Sequence, residues 1–194
     1  RRVYMGLASE VDHHLGRVMD CLKAQGIYDE TLIIMTCDHG EMLGDYGLWG
    51  KMGFYDQAFH IPLIIKPPKS MEVEKGRKIH GFTENVDVMA TLADYLGLDV
   101  PAEVAGVSLR AAVEGAPFAG RPYVNWMFDY RLQEDMFFEQ SLKKPSEACL
   151  MQVLKTPTAK IVLQPGDEPL FYKKKDGQEF QVQPDLESRM RLME

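Results

Sequence analysis

Cysteine is scarce in this 194-residue chain: Cys21, Cys37 and Cys149 are the only three, an odd number with no close pair. That argues against a disulfide framework and predicts buried, reduced thiols in a cytoplasmic protein, Cys37 in its apolar run among them. Basic charge is also short, with 22 Lys and Arg against 29 Asp and Glu for a net charge of −7 at pH 7. A general nucleic-acid partner is excluded, because such binding needs a cationic surface to displace counterions. No apolar run approaches the roughly 18–20 residues needed to cross a bilayer, so no membrane partner is expected. The opening Arg1-Arg2-Val3-Tyr4 has neither an initiator Met nor an apolar signal stretch, which predicts that targeting information was removed or never present. Internal repeats and low-complexity tracts are absent. The nearest approach is Lys173-Lys174-Lys175 beside Asp176-Gly177, which reads as a solvated hairpin turn.

What is present is enough for a globular core: hydrophobic residues make up 45% of a chain of ordinary single-domain length. Val3, Leu7, Val11, Leu15, Val18 and Leu22 recur at three- and four-residue steps, which predicts a packing helix ended by Gly26. His13 and His14 fall inside it. Adjacent in sequence, they sit about 100° apart around the axis and cannot chelate one ion as an i, i+4 pair would, so surface or partly packed roles are expected. A short turn then leads to Leu32-Ile33-Ile34-Met35, an apolar run without polar alternation, as in a parallel strand covered on both faces. Helix, turn and buried strand make an α/β unit. A second strand follows at Ile61-Pro62-Leu63-Ile64-Ile65, ended by Pro67-Pro68, and a second helix through Val86, Met89, Ala90, Leu92, Ala93 and Leu96, with Thr83 and Asn85 as caps and Gly97 as its stop.

The first apolar run stops at an acid, a histidine and a glycine: Thr36-Cys37-Asp38-His39-Gly40-Glu41. Sheets of this kind place ligand sites just beyond the carboxyl ends of their strands, so Asp38 and His39 are candidate metal ligands, although the same pair can cap a turn or the next helix. Carboxylate plus imidazole suits Mn²⁺, Zn²⁺ or Fe better than Ca²⁺, which prefers oxygen donors alone. Next comes a glycine-rich excursion, Gly44-Asp45-Tyr46-Gly47-Leu48-Trp49-Gly50-Lys51, whose single lysine would by spacing alone be a surface residue. Packing of the loop is the expectation for Tyr46, Trp49, Phe54 and Tyr55, with the lining of a leaving-group pocket as the alternative. His60, at the start of the second strand, is expected to be packed or hydrogen-bonded, with substrate contact as its alternative.

Thr36-Cys37-Asp38-His39-Gly40-Glu41, Leu43-Gly44-Asp45, Leu48-Trp49-Gly50-Lys51 and His60-Ile61-Pro62-Leu63-Ile64-Ile65 together closely resemble the C-terminal part of the sulfatases and phosphonate monoester hydrolases, in the alkaline phosphatase superfamily. His39, where many sulfatases have Asn, and Gly50-Lys51-Met52-Gly53-Phe54-Tyr55-Asp56 look more like the phosphonate monoester hydrolase branch. The likeness runs from about Tyr4 to about Glu179 and includes the loop Pro101-Ala102-Glu103-Val104-Ala105-Gly106-Val107-Ser108-Leu109. It implies an alkaline-phosphatase-like, mainly parallel sheet flanked by helices over residues 1–121, and a small antiparallel β subdomain with a C-terminal helix or tail over residues 122–194. Short β runs at 123–128, 149–154 and 159–163 agree, and Leu186, Met190 and Met193 suit a short helix or a homo-oligomer contact.

The resemblance also implies chemistry. Asp38 and His39 would be two ligands of a divalent metal, and Lys51 would hold a nonbridging oxygen of a small anionic ester such as a phosphonate monoester, phosphodiester or sulfate ester. The family's nucleophile is a formylglycine made from a Cys-x-Pro-x-Arg or Ser-x-Pro-x-Arg motif that precedes this region. None of the three cysteines here sits in such a motif, so the chain alone is expected to be inactive. The alternative is a noncatalytic family member whose fold serves binding or oligomerisation.

Overall fold

The computed structural model describes residues 1–51, 53–129, 137–145, 148–164, 166–176 and 178–182. They fall into two compact units: Arg1–Lys51, Gln57–Ile79 and Glu84–Phe118 form the first, and the described residues of Met52–Asp56, His80–Thr83 and Ala119–Glu194 the second. The architecture is α/β, with helices around a two-stranded sheet in the first unit and a five-stranded antiparallel sheet in the second. No described helix is long and apolar enough to cross a membrane.

In the first unit α1 spans Arg2–Ala24 and stops where predicted, Gly26 taking φ +71° while the Ile27 and Tyr28 amides both donate to the Leu22 carbonyl. The predicted apolar stripe forms but does not pack. Four of its residues remain open, from 55% exposed at Val18 to 77% at Val3. His13 and His14 are on the surface, His14 between Arg17 at 3.1 Å and Glu10 at 3.8 Å. Strand β1, Ile33–Thr36, pairs with β2, Leu63–Lys66, and the pair is antiparallel, Ile33 opposite Lys66 and Thr36 opposite Leu63. The parallel neighbour expected for β1 is thus not its partner among the described residues, and the strand is half-buried rather than covered on both faces. An apolar run without alternation says that both faces avoid water, and carries no information on the direction of its neighbour.

Behind β1, Lys66 Nζ donates to the Tyr28, Asp29 and Thr31 carbonyls at 2.8–3.0 Å, tying the turn after α1 to β2. Short helix α2 covers Asp56–Phe59, α3 runs Val86–Leu96 to Gly97 in the left-handed conformation, and α4 is Arg110–Val113. Asn85 precedes α3 as expected but does not cap it with its side chain. The buried Asp87 does that work instead: its carboxylate accepts from the Glu84 amide at 2.8 Å and from the Val107 amide at 2.8 Å. A carboxylate inside the first turn meets the orphan amides and the positive end of the helix dipole.

The second unit is a meander of β3 Val124–Asp129, β4 Leu150–Lys155, β5 Ala159–Leu163, β6 Leu170–Lys175 and β7 Gln178–Val182, each paired antiparallel with the next. Helix α5, Phe137–Leu142, lies between β3 and β4 in sequence. The β6–β7 hairpin turns at Asp176 as the sequence suggested, but Lys173, Lys174 and Lys175, read as part of the turn, belong to β6 and pair with Phe180, Glu179 and Gln178. The expected helix or contact segment from Pro184 to Glu194 lies outside the described residues. Phe54, Met151, Val153 and Val162 form the core, with Tyr55, Trp126, Phe128, Leu170 and Tyr172 against it. Period-two alternation places Lys155 on the same buried face as Met151 and Val153, and Lys160 lies opposite it in the register. Both ammonium groups are matched by Asp56 and Glu179, with Lys155 Nζ 2.8 Å from Glu179 Oε1. Burial pulls the Lys155 pKa down, but the hydrogen bonds and charges of Asp56 and Glu179 outweigh it and hold the group above its ordinary value.

Candidate active site

Strand β1 delivers Asp38 and His39 two and three residues past its last paired residue, and local bonds fix the exit. Asn85 anchors the end of the strand, its Nδ2 donating to the Cys37 carbonyl at 2.8 Å while Thr36 Oγ1 donates to Asn85 Oδ1 at 3.0 Å. Gly40 is needed for a close approach: a Cβ there would lie 2.0 Å from the Gln57 carbonyl oxygen. That contact allows the Gly40 amide to reach the Ala58 carbonyl at 2.8 Å and the Glu41 amide the Gln57 carbonyl at 3.1 Å. Glycine is thus required at position 40 by van der Waals space, not by an unusual φ.

Asp38 and His39 converge. His39 Nε2 stands 3.4 Å from Asp38 Oδ2, and His39 Nδ1 is 2.8 Å from the Gly40 carbonyl oxygen. A carbonyl only accepts, so Nδ1 carries the proton and donates, which leaves Nε2 facing the carboxylate. This is the tautomer a metal-ligating histidine needs, with its other nitrogen held by a backbone carbonyl. A proton on Nε2 or a shared cation would satisfy the pair. Asp38 Oδ1 accepts from the His39 amide at 2.9 Å, and this bond chiefly lowers the Asp38 pKa. Desolvation opposes it, and the charges of His39 and Lys51 add to the lowering. Asp38 therefore stays a carboxylate further into acid than an ordinary aspartate. Two donors of this kind fit part of a metal site. Among the described residues no group of three or more His, Cys, Asp or Glu gathers.

Lys51 is exposed at the end of the glycine-rich loop, close enough for its charge to act on Asp38. His60 is exposed too, contrary to the expectation of packing, and forms no hydrogen bond with Asp38, His39 or Lys51. The aromatics divide. Tyr46 and Trp49 are 70% and 60% exposed, Trp49 lying against Gly44 of its own loop, whereas Phe54 and Tyr55 stack at 4.5 Å in the second unit's core.

Two residues that position the site escaped the sequence reading. By its position Asn85 reads as a helix cap, and nothing in its local pattern reveals a bond to a residue 48 positions away. Glu41 was read only as part of a motif, yet its Oε1 accepts from the Gly50 amide at 2.5 Å and from the Leu43 amide at 3.4 Å. An acid directly ahead of a glycine-rich loop, where amides need acceptors outside regular structure, was the available signal.

The chain was compared with known proteins. The Sulfatase family model matches residues 1–98. The multifunctional alkaline phosphatase superfamily protein PehA of Trinickia caryophylli is 38% identical over 185 residues, 93% of this chain and 35% of that protein. The choline-sulfatase of Rhizobium meliloti (strain 1021) is 38% identical over 118 residues, 59% of this chain and 22% of that protein. Among solved structures, the phosphonate monoester hydrolase of Silicibacter pomeroyi superposes with a TM-score of 0.84 at 37% identity, covering 98% of this chain and 39% of that one. The chain thus spans little more than a third of the length of PehA and of that phosphonate monoester hydrolase. The likeness carried by Asp38-His39-Gly40-Glu41 and Gly50-Lys51 is borne out along nearly the whole sequence: the chain belongs to the sulfatase family, within the alkaline phosphatase superfamily.

Proposed function

We propose that Asp38, His39 and Lys51 serve a hydrolase of phosphonate monoesters, phosphodiesters or sulfate esters, with phosphorus esters preferred, whose nucleophile and remaining metal ligands are not in this chain. The observation that carries the reading is the His39 imidazole, whose Nδ1 is committed to Gly40 and whose Nε2 faces Asp38 Oδ2 at 3.4 Å. Support for phosphorus comes from the likeness to a phosphonate monoester hydrolase over 98% of the chain.

Asp38 Oδ2 and His39 Nε2 would hold the divalent ion, Mn²⁺, Zn²⁺ or Fe ahead of Ca²⁺, and the Gly40 carbonyl would keep the imidazole in register. When bound, such an ion neutralises charge on the ester's nonbridging oxygens and lowers the pKa of an oxygen nucleophile. Lys51 would hold a nonbridging oxygen through its ammonium, a compact charge on a flexible stem. The formylglycine expected of the family, or a plain Ser or Thr hydroxyl, would have to come from outside these residues.

The test has two stages. Calorimetric titration of this chain with Mn²⁺ and Zn²⁺ should show binding that Asp38→Ala removes, without ester turnover. In a polypeptide that joins this chain to its nucleophile, Lys51→Ala should lower kcat/KM by roughly two to three orders of magnitude with metal content unchanged, as expected for one preorganised charge contact. Aryl phosphonate monoesters, phosphodiesters and aryl sulfates run side by side decide the branch. Preference for sulfate would overturn the phosphorus assignment. Bound metal with no turnover of any ester would favour the noncatalytic binding or oligomerisation reading.

A further inference from the structure

Lys51 sits at the end of a loop held by hydrogen bonds more than by apolar burial. Residues 43–50 depart repeatedly from ordinary backbone: Leu43 and Tyr46 have φ of +51° and +53°, and Gly44, Gly47 and Gly50 are also positive. Left-handed conformations at non-glycine residues persist only where surrounding contacts impose them. Apolar burial does not supply those contacts here, since Tyr46 and Trp49 are both mostly exposed.

Amides within the loop bond to its own carbonyls, Gly44 to Leu48 and Leu48 to Asp45, and Gln57 donates to the Asp45 carboxylate, but the end next to Lys51 is tied by the Gly50 peptide. The Gly50 amide donates to Glu41 Oε1 at 2.5 Å, and the Gly50 carbonyl accepts from the Met42 amide at 2.9 Å, so the group immediately before Lys51 is held on both its donor and its acceptor. The anchor is itself rigid. The Glu41 amide is bonded to the Gln57 carbonyl, and Met42 is fully buried. Glu41 lies two residues beyond His39, so one short stretch of backbone sets both the Asp38–His39 pair and the start of Lys51.

We propose that Glu41 is a positioning residue for Lys51: its carboxylate fixes the Gly50–Lys51 backbone at the distance from Asp38 and His39 at which the ammonium meets the same anion. The inference rests on the proposed hydrolytic role of Lys51. A carboxylate suits the task because a charged acceptor makes a shorter and stronger bond to a backbone amide than a neutral one. A charge displaced by about 1 Å from its working position can cost on the order of a hundredfold in rate.

A double-mutant cycle with a conservative variant tests this. In the polypeptide that joins this chain to its nucleophile, Glu41→Ala should lower kcat for an aryl phosphonate monoester by about 10- to 100-fold with metal content unchanged. Glu41→Gln, whose amide oxygen can still accept from Gly50, should recover most of that loss. In a Lys51→Ala background, Glu41→Ala should cost less than about threefold more, because nothing remains to be positioned. In this chain alone, hydrogen exchange should show the Gly50 amide protected in the native protein and in Glu41→Gln, and open in Glu41→Ala. Full additivity with an effective Lys51→Ala, or loss of metal together with activity, would overturn the positioning role alone. A Lys51→Ala enzyme of undiminished rate would remove the proposed lysine chemistry and this inference with it.

Discussion

The two units of the molecule solve the burial problem differently. The second gathers Phe54, Met151, Val153 and Val162 into one core and seats Tyr55, Trp126, Phe128, Leu170 and Tyr172 on it. The first buries Met42, Ala58, Ala90, Leu109 and Ala112, mostly small residues, and leaves Val3, Leu7, Val11, Val18, Met89 and Leu96 open. Yet it is the first that carries Asp38, His39 and Lys51. Its order therefore rests on polar ties at defined points: Asn85 to Cys37, Glu41 to Gly50, Lys66 to three carbonyls and Asp87 to two amides. Apolar packing tolerates exchange of similar volumes, whereas a polar tie is specific to its partners. A site that must hold a carboxylate, an imidazole and an ammonium in fixed relation gains from the second kind of order.

The contrast can be broken by substitution. The largest expected effect is at the buried charges of the second unit: Lys155→Ala should destabilise by about 3–5 kcal/mol, because Asp56 and Glu179 lose a cation in a place of low solvent access. Lys155→Met, which keeps the volume but not the charge, should cost nearly as much in a urea melt. A clearly smaller cost for Met would mean that packed volume, and not the ammonium, is what this position needs. Next comes Met151→Ala, fully buried, at about 2–5 kcal/mol for lost transfer energy plus a cavity. In the first unit Asn85→Ala should cost about 1 kcal/mol and raise hydrogen exchange in β1 while leaving β4 and β5 unchanged. Uniform loss of protection across both sheets would contradict separate stabilisation. Smallest is Val11→Ser on the open face of α1, expected within about 0.5 kcal/mol.

pH offers a further probe of the second unit. The Lys155 pKa is raised in the folded state, so its contribution is fully present below the unfolded-state value, near 10.5, and is lost as pH rises through the higher folded-state value. Stability should therefore fall more steeply above about pH 10.5 in the native chain than in Lys155→Met, read from thermal melts across that range. Parallel curves would remove Lys155 from the alkaline transition.

Much of this was legible in the residues. The 3.6 period located α1 and α3 closely, and Gly26 and Gly97 ended them because each adopts positive φ without a steric penalty. The β runs were legible because alternation and turn residues bound them: 123–128 and 159–163 against β3 and β5 within a residue. Less legible was the direction of β1. Apolar content reports how much surface avoids water, and the same Ile-Ile-Met stretch can pair either way. Equally hidden was the fate of the α1 stripe, since periodicity states which residues share a face and says nothing of what covers it.

At the site the same division holds. Adjacent placement of Asp38 and His39 beyond a strand, before a glycine, is a property of the sequence, because chain connectivity keeps neighbours together, whereas Lys51 at the end of its loop is brought near them only by the fold. Which nitrogen of His39 carries the proton, and which acceptor holds Gly50, depends on Gly40, Gln57 and Glu41 meeting in space. Hydrogen bonds are directional and short, so their partners are chosen only when the backbone has closed on itself. The sequence by itself determined that a carboxylate and an imidazole stand together just past β1, and the tertiary structure decided which of their atoms are bound and which stay open.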